Sequence, residues 1–281
     1  MKKIYIVLLF ILISILIGSA QTQKIEAYKG VIPGGYNFWL VHPLPDSCSQ
    51  KPLIIFLHGA SLCGRNLDRV RHYGPLDAIE RGRAINAYII APQNPGGGWK
   101  PSKVHDVFDW VKNNHDIDTT RIYVIGMSLG GFGTIDYTAT YPDEVAAAIG
   151  ICGGATVRDL SHLNEVPLWI VHGTADRAVT IKQSDNIVNQ MRQVNDSTPR
   201  LVYDRVPGIN HSQPARMFYL PEVYEWLFAH SLIEENRPLH EPTHITPELL
   251  KKSYVGIKSK KGTSRKKSSR KRSTRRRTRR K

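Results

Sequence analysis

Apolar positions fall into two alternating patterns along this chain. Residues 52–57, 87–91, 121–125, 145–151 and 167–171 are short runs rich in Ile, Val, Leu, Ala and aromatic side chains. Such runs are the pattern of strands buried on both faces. Between them the apolar residues recur three and four positions apart, as in Val104, Val107, Phe108 and Val111, or Ile187, Val188 and Met191. That spacing gathers side chains on one face of a helix. It predicts helices over 67–81, 104–114, 129–141 and 180–194, with Ile181 also on the buried face of the last. A final helix carrying Phe218, Val223, Trp226 and Leu227 closes the domain near Leu232. Residues 24–42 read as one or two antiparallel strands turning at Pro33, Gly34 and Gly35, and Leu201 to Tyr203 begin the last strand. The fold class is therefore α/β, a mostly parallel central sheet with helices on both faces. In such sheets chemistry gathers at the carboxyl ends of the strands.

The two ends of the chain do not follow these patterns. Lys2 and Lys3 precede a run of apolar residues over 4–17, and Gly18, Ser19 and Ala20 follow it. Residues 1–20 thus read as a secretory signal peptide, too short for a membrane span, which needs about 20 apolar residues. The expected location is outside the cytoplasm, periplasmic or extracellular. At the other end, residues 251–281 hold 17 of the 39 Lys and Arg and none of the 24 Asp and Glu. The net charge of +15 is therefore a property of the tail, since residues 1–250 carry 22 basic against 24 acidic side chains. The tail is expected to be disordered. It either binds polyanions (acidic polysaccharide, an anionic membrane surface or nucleic acid) in a salt-dependent way, or is simply solvated. The expected organisation is a signal at 1–20, a catalytic domain at 21–235, a linker at 236–250 and a basic tail at 251–281.

Gly126, Met127, Ser128, Leu129 and Gly130 join a buried strand to a helix. A serine on such a strand–turn–helix junction can be presented as a nucleophile. It then needs a base to take its proton and a third group to orient the base. Asp176 and His211 each follow a later strand and supply those groups in the order Ser128, Asp176, His211. Asp204, seven residues before His211, is the competing acid. His58 and His172 stand at strand ends before glycines and read as structural. Trp99, in a loop with three consecutive glycines, either lines a pocket or packs in the core. Cys48, Cys63 and Cys152 are odd in number; Cys48 and Cys63 form a disulfide, or all three are buried small residues. No spacing of Cys and His points to a metal site, and no cofactor is implied.

These segments resemble the α/β-hydrolase superfamily. The chain is similar to its small secreted carboxylesterase, phospholipase and dienelactone-hydrolase-like branch, and to single-domain relatives of the prolyl oligopeptidase catalytic domain. The resemblance rests on Leu57-His58-Gly59-Ala60, the Gly126–Gly131 segment, His172-Gly173-Thr174-Ala175-Asp176 and Asn210-His211-Ser212, and covers residues 30–232. It implies Ser128 as nucleophile, His211 as general base, Asp176 as orienting carboxylate, and backbone N–H groups of Ala60 and Leu129 as oxyanion donors. Ser61 and Trp99 would line the substrate pocket. Relatives often continue the first motif as Gly-Glu-Arg-Gly; here Ser61-Leu62-Cys63-Gly64 stands instead, which leaves the acyl-side pocket open. Segment 153–166 is too short for a cap domain. The implied activity is a serine esterase acting through an acyl-enzyme on soluble or polymer-borne esters, such as acetyl or feruloyl groups on polysaccharide. A prolyl oligopeptidase-like peptidase, and a polyanion-binding protein with an inactive hydrolase domain, are the alternatives.

Overall fold

The computed structural model describes residues 22–45 and 50–259. The signal expected at 1–20, the greater part of the basic tail and Cys48 lie outside the described residues. Eight strands form one sheet: β1 (Ile25–Tyr28), β2 (Phe38–Val41), β3 (Lys51–Leu57), β4 (Tyr88–Pro92), β5 (Ile117–Met127), β6 (Ala147–Ile151), β7 (Leu168–Gly173) and β8 (Leu201–Val206). Their spatial order is β1-β2-β4-β3-β5-β6-β7-β8. β1 and β2 run antiparallel to each other and β2 to β4, while every pairing from β4 to β8 is parallel. The unbroken apolar runs are the central strands, and all residues of β3, β6 and β7 are buried.

Six α-helices are described: α1 (Pro75–Glu80), α2 (Pro101–Asn114), α3 (Leu129–Thr140), α4 (Lys182–Val194), α5 (Pro221–Phe228) and α6 (Pro247–Lys252). Alternate residues along each strand point to opposite faces, so the core forms two layers. Ile54, Phe56, Tyr123, Ile125 and Trp169 pack with Leu76 of α1, Val223 and Leu227 of α5 and Leu250 of α6. Leu53, Ile55, Val124 and Ile170 pack on the other face with Val104 and Phe108 of α2, Ile135 of α3 and Ile187 of α4.

Two expected helices are divided. Over 67–81 a 3-10 segment, Leu67–His72, is separated from α1 by Gly74. Gly74 has φ +98°, and a Cβ there would run into the Phe56 ring. The closing helix is likewise split into a 3-10 segment, Gln213–Tyr219, and α5. Pro221 has no N–H to continue the first segment, but its fixed φ suits the first position of a new helix.

The end of the domain also differs from expectation. The stretch read as a linker over 236–250 packs against the body, and the packing continues past 251. Ile245 and Leu250 are buried, at 4% and 1% exposure. Trp226 Nε1 donates to the His240 carbonyl at 2.6 Å, and the Lys258 N–H to the Arg81 carbonyl at 2.7 Å. Single apolar residues spaced through a polar segment make no periodic signal, yet each fills a site on the core. Among the described residues no helix is long and apolar enough to cross a membrane.

Candidate active site

Ser128 stands between the end of β5 and the start of α3, with φ 59°. This left-handed conformation is costly for a residue with a side chain. It is held by the Ser128 N–H, which donates to the Ile151 carbonyl at 2.8 Å, and by the Phe132 N–H, which donates to the Ser128 carbonyl at 3.0 Å. The tight turn depends on missing side chains. A Cβ on Gly126 would meet the Gly130 carbonyl, and one on Gly130 would collide with the Leu57 carbonyl.

Three parallel strands bring three side chains together. His211, in the loop after β8, places Nε2 at 2.9 Å from Ser128 Oγ and Nδ1 at 2.6 Å from Asp176 Oδ2. Asp176 lies in the loop after β7. Its Oδ1 accepts the N–H groups of Ala178 and Val179, both at 2.9 Å. Burial raises the Asp176 carboxyl, but hydrogen bonds from His211, Val179 and Ala178 outweigh it and hold the group below its ordinary value. An ionised carboxylate at Nδ1 fixes the imidazole with Nε2 free to accept a proton from the serine.

The remaining expected residues divide. Ala60 opens a single 3-10 turn, Ala60–Leu62, and Leu129 opens α3. First-turn N–H groups have no acceptor within their own helix. The first turn adjoins the serine, because a Cβ on Gly59 would lie 3.4 Å from Ser128 Cβ. Ser61 lines the cleft, and its carbonyl accepts Arg69 Nη2 at 2.6 Å. Trp99 does not line it. The ring is 4% exposed, donates Nε1 to the His58 carbonyl at 3.1 Å and packs edge-on against Tyr36 and His58. The glycine-rich loop lets the ring turn inward, and Gly133 leaves it room: a Cβ there would lie 2.7 Å from the indole.

Asp204 is engaged elsewhere, accepting Trp169 Nε1 at 3.0 Å and His244 Nδ1 at 2.7 Å. His58 Nε2 accepts the Asn94 N–H at 3.1 Å, and burial pushes the imidazole down to about 4. His172 is fully buried beside Asp176. Among the described residues Cys63 and Cys152 form no disulfide, and the expected Cys48–Cys63 pairing involves a residue outside them. Tyr73, which no sequence spacing marks, also enters the site: its hydroxyl accepts the Gly59 N–H at 2.6 Å, and its ring forms part of the wall.

The cleft over Ser128 has a volume of about 610 Å³. Its floor and walls include Ala60, Tyr73, Met127, Val179, His211 and Ala215. A second hollow, about 460 Å³ between α4 and β8, is lined by Asp185, Arg192 and Arg205 and contains none of the three residues. A serine hydroxyl, a base and an oriented carboxylate facing an open, largely apolar cleft can carry out acyl transfer.

Comparison with known proteins gives the same fold. Residues 99–213 match the dienelactone hydrolase family, a span that includes Ser128, Asp176 and His211. Poly(3-hydroxyalkanoate) depolymerase C of Paucimonas lemoignei is 30% identical over 144 residues, covering 44% of this chain and 33% of that protein. A bifunctional acetylxylan esterase/xylanase of Neocallimastix patriciarum is 31% identical over 179 residues, covering 60% and 26%. The alignments thus span about a third and a quarter of these relatives. Among solved structures, a thermostable esterase superposes with a TM-score of 0.61 at 23% identity, over 75% of this chain and 63% of that one. The fold is that of the α/β-hydrolases.

Proposed function

We propose that this chain is a serine hydrolase that cleaves carboxylic esters through an acyl-enzyme, with Ser128, His211 and Asp176 as its triad. The observation that carries the reading is His211, which bridges Ser128 Oγ and Asp176 Oδ2 at 2.9 and 2.6 Å over the open cleft. In the first half-reaction Ser128 Oγ attacks the ester carbonyl as His211 Nε2 takes its proton. The same nitrogen then protonates the departing alkoxide. In the second half-reaction His211 takes a proton from water, which attacks the acyl carbon, and returns it to Ser128 on release of the acid. The N–H groups of Ala60 and Leu129 stabilise the oxyanion in both halves. One such donor contributes about 3–4 kcal/mol to transition-state stabilisation.

The substrate is a short acyl ester carried on a polymer, with acetyl groups on polysaccharide the favoured case. Small residues, Ala60, Ala178 and Ala215, border the cleft, and segment 153–166 adds only a 3-10 turn, Ser161–Glu165, so a bulky chain can reach the serine. The acetylxylan esterase similarity points the same way. Export directed by residues 1–20 would bring the enzyme to such polymers, and the Lys/Arg-rich end would hold it on anionic ones.

Labelling with a fluorophosphonate probe tests the nucleophile: wild type is labelled and Ser128→Ala is not. A folded wild type that stays unlabelled refutes the reading. Acetate release from acetylated xylan tests the substrate class; turnover of p-nitrophenyl acetate without any release from xylan removes the polysaccharide assignment. Binding to an anionic polymer that persists unchanged at high salt would exclude the role given to the tail, and an exported product still beginning at Met1 would exclude cleavage of the signal.

A further inference from the structure

Three buried groups border the site without a part in the proposed chemistry: His58, His172 and Cys152. Cys152 is placed most directly within it. It follows β6, between the strand that ends at Ser128 and the strand that leads to Asp176. The Cys152 N–H donates to the Val171 carbonyl at 2.9 Å, and the carbonyl of the preceding Ile151 accepts the Ser128 N–H. Cys152 is fully buried, and its φ of 48° lies in the left-handed region. A glycine would meet that backbone requirement without strain, and Gly153 and Gly154 stand directly beside it. Position 152 nevertheless carries a side chain, and that side chain reaches the triad. Its sulfur, an Asp176 carboxylate oxygen and a His211 ring nitrogen all lie within 4.8 Å of one another.

The surroundings of the sulfur fix its role. It lies within 4.8 Å of an Asp176 carboxylate oxygen, in a site closed to solvent. Burial, the larger cause, and the neighbouring carboxylate push the thiol up to about 12. It therefore keeps its proton at neutral pH and is a donor rather than a nucleophile. Three titratable groups surround the acid: Cys152 from the end of β6, His172 from β7 and His211 from the loop after β8. His172 Nε2 lies 3.3 Å from Asp176 Oδ2 but 2.9 Å from the Val179 carbonyl. A carbonyl only accepts, so Nε2 carries the hydrogen, and burial lowers the ring's affinity for a second proton. Arg177, next in the chain, is exposed.

We infer that Cys152 is a positioning residue of the triad, its S–H donating to Asp176 and so fixing the carboxylate that orients His211. This inference rests on the triad reading above. A donor to a carboxylate draws charge from it, so the thiol makes Asp176 a weaker partner for imidazolium. Removing the thiol raises the affinity of His211 for a proton.

Three substitutions separate donation from packing. Cys152→Gly removes the side chain and relieves the left-handed backbone, so it retains the fold. Cys152→Ala removes only the thiol, and Cys152→Ser keeps a donor. The His211 imidazole, followed by NMR, is expected to titrate about half a pH unit higher in the Gly and Ala variants. The acid limb of kcat/KM should move with it, lowering kcat/KM about threefold on that limb. The Ser variant should titrate at or below the wild-type value. An unmoved His211 in both donor-free variants, or an equal shift in all three, overturns the inference. Because the titration is read on the protein without substrate, it is separable from the ester-hydrolase reading, which fails instead if Ser128→Ala retains wild-type turnover.

Discussion

Asp204 and His244 are joined by a 2.7 Å contact between Oδ1 and Nδ1 that ties the C-terminal segment to β8. The other oxygen of the carboxylate accepts the Ile245 N–H at 2.8 Å and Trp169 Nε1 at 3.0 Å. Asp204 thus fastens the segment to the core, and Asp176 alone of the two faces His211.

The fastening is pH-dependent. The hydrogen bond that His244 donates to Asp204 raises the imidazole above its ordinary 6.5. A histidine raised by folding stabilises fully below its unfolded value and loses that contribution as pH rises through the folded one. Urea unfolding at pH 5.5 and 8.5 should show wild type losing stability over that interval. His244→Asn should lose less. A difference between the two pH values that is identical in both proteins would contradict this.

Asp204→Asn should cost about 1–3 kcal/mol, because a buried acceptor shared by several donors is replaced by a group that cannot accept them all. Turnover of a small ester by the folded protein should stay within about twofold of wild type, since the substitution leaves the triad intact. A fall of several hundredfold would return Asp204 to candidacy as the catalytic acid.

Ending the chain at residue 235 should destabilise it relative to a chain ending at 259. Burial of a large aliphatic side chain contributes about 1.5–3 kcal/mol, and both Ile245 and Leu250 are lost. Thermal melts of the two truncations decide the matter; equal melting temperatures would mean that the segment adds nothing to the fold.

Gly130→Ala should destabilise by about 3 kcal/mol or more, as overpacking does where no rotamer gives relief. The added Cβ meets the Leu57 backbone, so β3 and α3 must separate. In a chain of this size that corresponds to a melting temperature lower by roughly 6–12 °C.

Trp99→Phe should lower stability by about 1–3 kcal/mol through the lost indole hydrogen bond and volume. The KM for a short ester should change by less than about twofold. A KM raised tenfold with unchanged stability would place the ring in the cleft after all.

The central strands were readable from the sequence because unbroken apolar runs have one solution in a covered sheet; Ser128 and Asp176 each follow such a run, His211 follows the strand that begins at Leu201, and the structure brings the three side chains together. Trp99 was ambiguous for a physical reason. Its direction is set by the space left at Gly133, a residue far along the chain. Tyr73 and Cys152 escaped because their roles come from contacts across strands: Tyr73 reaches back to Gly59, and Cys152 reaches sideways to Asp176. The packed C-terminal segment escaped because Ile245 and Leu250 belong to no repeating pattern.

His211 reaches Ser128 across 83 residues of chain and Asp176 across 35. None of the three can meet another within a local segment; bringing all three together requires β5, β6, β7 and β8 to be assembled in the sheet. A nascent or partly unfolded chain therefore holds an ordinary serine. Under the proposed triad, reactivity at Ser128 arises only when the last strand has docked, so labelling of that serine would count finished molecules and serve as a clock for the final step of folding.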